Sequence, residues 1–160
     1  MINPSYYTRE LLELKNYNKP LEYLIELGAD TLLSFIKYDG RKIAYIDINH
    51  ADGDSIGSSV NLAFLFDMKN VHYNIGSHNS SYKLTFSFSN LPLDEIKANL
   101  KREIKMLYIV TDCTPYSLFW KDIEEISRQS KAREYFHVLV IDHHPFIGRE
   151  EAKGVIKTEE

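Results

Sequence analysis

At 160 residues the chain has room for one domain with a proper apolar core and too little for two comfortable ones. Its 44% apolar and 26% charged residues are the balance of an ordinary globular protein. A formal charge of −4 excludes a global basic field for duplex nucleic acid, so a phosphate-bearing partner would need local Lys or Arg, or bound cations, to offset its charge.

Residues Ser5 to Tyr38 read as helical, because Leu11, Leu12 and Leu14, then Leu21, Leu24, Ile25 and Leu27, then Leu32, Leu33, Phe35 and Ile36 recur at three- and four-residue steps. Pro20 is expected to open a second helix, Gly28 to interrupt it, and Asp39-Gly40 to mark a turn. Lys42 to Ile48 is short, apolar and rich in β-formers, which predicts a buried strand. Ile56 to Met68 has helical spacing, Val71 to Ile75 reads as a second strand, and Ser77 to Asn90 is a polar stretch with no clear pattern. Further on, Leu93 to Lys101 reads as a helix and Met106 to Thr111 as a third strand. Ser117 to Tyr135 is expected to form one helix and His137 to Ile141 a fourth strand.

Strands alternating with helices predict βαβ units, hence an α/β fold with a parallel sheet sandwiched by helices and a helical segment over residues 1–40 packed on a domain of residues 41–160. The single cysteine, Cys113, permits no intramolecular disulfide, and no apolar run approaches ~20 residues. A cytoplasmic protein without membrane attachment is the expectation, and the sequence leaves the oligomeric state open.

A parallel sheet gathers its chemistry beyond the carboxyl ends of its strands. Three clusters lie there. His50-Ala51-Asp52-Gly53-Asp54-Ser55 follows the first strand, and on extended backbone His50, Asp52 and Asp54 share one side, a harness for hard divalent ions. Ser55 is expected to cap the next helix, whose amino end would seat a phosphate. An EF-hand loop starting at Asp52 fails, with Ile56 and Ala63 at its fifth and twelfth positions, and neither the P-loop nor GxGxxG pattern fits. Asp112 follows the third strand, and its two oxygens could bridge two cations. Asp142-His143-His144-Pro145 follows the fourth strand, where a carboxylate can fix the tautomer of a metal-ligating imidazole. Each cluster also has a plain structural reading as turn, cap or satisfied histidine. Cys113, Trp120, His72, His78 and His137 are read as packing or surface residues.

Taken in order, His50-x-Asp52-x-Asp54 with Gly57-Ser58, then Asp112, then Asp142-His143-His144 resembles the DHH phosphoesterase superfamily in its N-terminal catalytic domain, over about Lys42 to Pro145. The phrases DGDSIGSS and VIDHHP look most like the oligoribonuclease and RecJ-type exonuclease branches. The resemblance implies a manganese- or magnesium-dependent hydrolase of short oligonucleotides or nucleotides. Pyrophosphatase, polyphosphatase and cyclic-dinucleotide phosphodiesterase activities are the family's alternatives. A weakly catalytic module that binds nucleotide or metal in a regulatory role is another. The resemblance makes His50, Asp52 and Asp112 ligands of one ion, and Asp54, Asp112 and His143 ligands of the other. Asp142 would support His143, and His144, Gly57, Ser58 and Ser59 would face the substrate. Many oligoribonuclease-like members carry the first His four residues before the first Asp, where this chain has Ile48. The tail from Arg149 to Glu160 is charged and without a motif. The expectation is therefore a domain lacking the family's downstream metal-binding Asp and C-terminal substrate domain.

Overall fold

The computed structural model describes residues 21–48, 53–76, 93–112 and 120–141. In chain order these form α1 (Leu21–Lys37), β1 (Lys42–Ile48), α2 (Gly53–Met68), β2 (Tyr73–Gly76), α3 (Leu93–Lys101), β3 (Lys105–Thr111), α4 (Trp120–Ser127), α5 (Ala132–Tyr135) and β4 (Phe136–Ile141). The four strands make one sheet in the order β2-β1-β3-β4, parallel at every pairing. Six of the seven β1 residues and six of the seven β3 residues are buried, as both faces of a helix-covered parallel sheet must be.

Alternation along the strands sorts the core into two layers. On one face Ala44, Ile46, Leu107, Ile109 and Leu139 pack under α1 and α2 through Phe35, Leu62 and Phe66. Phe35 and Phe66 meet edge to face at 6.3 Å, tying the two helices together. On the other face Ile43, Tyr45, Met106, Tyr108, Phe136 and Val138 pack under α3, α4 and α5 through Ile96, Leu100, Ile123, Ile126 and Ala132. The α/β sandwich expected from the pattern is what forms.

Several local expectations need correction. Gly28 does not interrupt α1; it faces the sheet, and a Cβ there would lie 3.6 Å from Leu139 Cδ1, so the glycine permits close approach. At the other end of α1, the Lys42 ammonium donates to the carbonyls of Ile36 (2.5 Å) and Tyr38 (2.6 Å), neutralising the helix's free acceptors. The helix expected from Ile56 begins at Gly53, and the single helix expected over Ser117 to Tyr135 is divided into α4 and α5. The division falls on Ser-Arg-Gln-Ser, which offers nothing apolar to bury; Ser127 Oγ donates back to Ile123 O and Gln129 N–H to Ile126 O, closing α4 with a turn. The second strand starts at Tyr73 rather than Val71. His72 is exposed and His137 buried, while residues 1–20, Cys113, His78 and the Trp120 side chain lie outside the described residues. No helix among the described residues is long and apolar enough to cross a membrane.

Candidate metal centre

The register decides where the three sequence clusters emerge. Ile48 pairs with Thr111, and Thr111 with Ile141, so β1, β3 and β4 end level with one another. With neighbouring strands about 4.8 Å apart, the three exits lie within about 10 Å along one edge. After β1 the chain turns to α2 on one face, and after β3 it turns to α4 on the other. The strand order reverses there, which is where open α/β sheets form their ligand crevice. Of the expected site residues, Asp54, Asp112, Gly57, Ser58 and Ser59 are described. His50, Asp52, Asp142, His143 and His144 lie outside the described residues.

Asp112 sits at the centre of that edge. Its N–H still donates to Ile141 O at 2.8 Å, holding it to β4, but its φ of 54° turns the chain sharply off the sheet. Three non-glycine residues adopt positive φ among those described. Asn70 and Glu103 do so at helix ends, where a left-handed residue closes the last turn through Val71 N–H to Phe66 O and Ile104 N–H to Asn99 O. Asp112 has no helix to close. Its residue is only 4% exposed, so the strained backbone delivers a carboxylate into the interior at the crevice. Asp tolerates this conformation better than most side chains.

The first turns of α2 are stitched to the neighbouring Thr111. Ser59 and Thr111 hydroxyls meet at 2.8 Å, and Ser55 Oγ lies 3.4 Å from both Thr111 O and Thr111 Oγ1. Both serines are fully buried. Ser55 is therefore not the expected cap: it is inside the helix, one turn ahead of Ser59, and these small hydroxyls let α2 approach the sheet closely. The same stitching orients the helix's free amides and fixes Asp54, exposed in its first turn, relative to Asp112. Because the helix starts at Gly53, the extended alternation expected to carry Asp54 does not reach it. Gly57 is exposed and Ser58 half-buried, whereas the Ser59 hydroxyl is engaged internally.

Asp47 is a further polar group beside the crevice, one that motif and spacing do not single out. It is fully buried on the penultimate residue of β1 and accepts a 2.5 Å hydrogen bond from the Tyr108 hydroxyl, itself fully buried on β3. The legible signal was a charged residue inside an otherwise apolar strand. Beside it Tyr45 donates to Glu95 at 2.9 Å and accepts from Asn99 at 2.8 Å; burial first, then the Glu95 carboxylate, push its pKa well above the usual phenolic value. This face of the sheet thus carries buried polar side chains right up to the crevice.

No protein-family model, curated protein or solved structure matches the chain. Among the described residues no three His, Cys, Asp or Glu side chains form a ligand group, and Asp54 and Asp112 are the two expected ligands that are described. What these two offer is oxygen-only chemistry, one carboxylate recessed and one solvent-facing, which suits hard cations over thiophilic ones.

Proposed function

We propose that the chain is a divalent-metal-dependent phosphoesterase of the DHH type, cleaving phosphate esters of short oligonucleotides or nucleotides. The observation that carries this reading is the buried Asp112 carboxylate, on left-handed backbone, at an edge where the register also delivers the chain leading to His50, Asp52 and Asp54 and the chain leading to Asp142, His143 and His144. His50, Asp52 and Asp112 would hold one manganese or magnesium ion, and Asp54, Asp112 and His143 the other. When bound, such a pair supplies a hydroxide at neutral pH and offsets charge on the phosphoryl group.

The chain's own groups do the rest. The free N–H groups of the first turn of α2 would hold a phosphate oxygen, with Ser58 beside them. His144 would donate to the substrate phosphate, and Asp142 would fix the tautomer of His143. Buried Asp47 and Tyr108 stiffen β1 and β3 just below the crevice. The lone cysteine fits a reducing, cytoplasmic setting.

The test is a manganese-dependent hydrolysis panel run on the wild type and on Asp112→Asn, a substitution that keeps a side chain tolerant of positive φ. The panel compares a 5′-phosphorylated dinucleotide, 3′-phosphoadenosine 5′-phosphate, a cyclic dinucleotide, single-stranded DNA and polyphosphate. The expected outcome is cleavage of the dinucleotide or of 3′-phosphoadenosine 5′-phosphate, lost in the variant. Manganese binding without cleavage of any substrate would favour a regulatory module instead.

A further inference from the structure

Surface helices of globular proteins have one apolar stripe and one polar face. The α2 helix has two apolar faces. Ser55, Ser59, Leu62 and Phe66 are turned to the sheet, while Val60, Phe64 and Met68 are 55%, 62% and 58% exposed on the opposite side. At 100° per residue these three share one outward line with Gly53 and Gly57. An added Cβ at either glycine would meet nothing within 4 Å, so both positions open outward as the helical phase requires. No charged residue lies within the line, and the exposed Asp54 and Asp67 flank it on its two sides. The helical layer over the other sheet face is different: among its described side chains no large hydrophobic is exposed.

From this stripe we infer that the chain forms a two-fold dimer through α2, each copy's helix crossing its counterpart antiparallel. The argument for a second copy is the order of large and small residues. Gly57 and Phe64 are centred between Val60 and Asn61, and so are Gly53 and Met68. A two-fold axis at that point sets each Phe64 over the partner copy's Gly57 and each Met68 over its Gly53, a projection against a notch at both, with Val60 against Asn61 at the axis and Asp54 against Asp67 at the rim. An isologous interface demands such self-complementarity, and an unrelated partner does not. The α2 helix, 16 residues long, extends about 25 Å, and Ile25 and Leu33 of α1 are also exposed in the same helical layer. The inference stands apart from the proposed chemistry, since the amides of the first turn point along the helix axis and the stripe points sideways.

Light scattering coupled to size exclusion, on the full chain at micromolar concentration, is expected to give twice the chain mass. Phe64→Glu and Met68→Glu are each expected to give a single chain with unchanged circular dichroism, while Glu125→Lys on α4 leaves the dimer intact. A second measurement guards against misfolded variants: in a Cys113→Ser background, Val60→Cys lies next to the axis and should cross-link to its own counterpart with a short bismaleimide far faster than Glu125→Cys. A monomeric wild type, whatever other protein it captures, overturns the inference. So does a dimer that survives Phe64→Glu, or cross-linking at position 60 no faster than at 125.

Discussion

The two faces of the sheet solve the same packing problem with different chemistry. Under α1 and α2 the core is hydrocarbon, with the Ser55, Ser59 and Thr111 hydroxyls confined to the crevice end. His137 lies on this side by alternation with Leu139; its Nδ1 has no hydrogen-bond partner among the described residues, and burial, with Lys105 nearby, pushes its pKa down to about 3. Under α3, α4 and α5, Tyr45, Asn99, Asp47 and Tyr108 are buried as hydrogen-bonded pairs. The difference teaches that polar groups here are tolerated in proportion to their partners. Where partners exist an acidic side chain is buried, and where they do not the imidazole stays neutral.

Substitutions can break this contrast. The largest expected effect is on the hydrocarbon face: Phe66→Ala removes a fully buried ring and should lower urea-unfolding stability by about 3–5 kcal/mol. On the other face Tyr108→Phe keeps the ring and removes one donor to a buried carboxylate, an expected loss of about 1.5–3 kcal/mol. No loss would mean that this face, too, is held by apolar burial alone.

His137 gives a pH-dependent version. Its folded-state pKa lies below the unfolded value near 6.5, so its neutral burial costs nothing above pH 6.5. Stability is then lost as pH falls from 6.5 towards about 3, because only the unfolded chain takes up the proton. The loss should reach about 2 kcal/mol near pH 5. His137→Leu should flatten that part of the stability–pH curve, and an unchanged slope would show that the imidazole is protonated in place. The smallest expected effect is Ser59→Ala, about 1 kcal/mol from one buried hydroxyl pair, measured by the same unfolding assay.

The sheet was legible in the sequence because a parallel strand buried on both faces must be a short, β-branched apolar run. Lys42 to Ile48 and Met106 to Thr111 are such runs. Leu93–Lys101 was legible because its Ile96, Asn99 and Leu100 face inward at helical spacing between charged residues. The start of α2 was not, since Gly-Asp-Ser reads as a turn until Thr111 is seen taking up both serine hydroxyls. Asp47 showed in the sequence only as a charged residue inside an apolar strand; the register, which places Tyr45 beside Tyr108, brings a donor within reach. Of the candidate site, position was legible from strand ends. The left-handed turn at Asp112 was not, because it sits where the chain pairs with Ile141, 29 residues away in another strand.

Manganese titration followed by electron paramagnetic resonance, on the wild type and Asp112→Asn at matched concentration, probes the proposed centre without relying on any substrate. Two ions taken up per wild-type chain, with at least one lost in the variant while its circular dichroism is unchanged, is the predicted result. No uptake by the wild type, or equal uptake by both proteins, would contradict a cation centre built around Asp112.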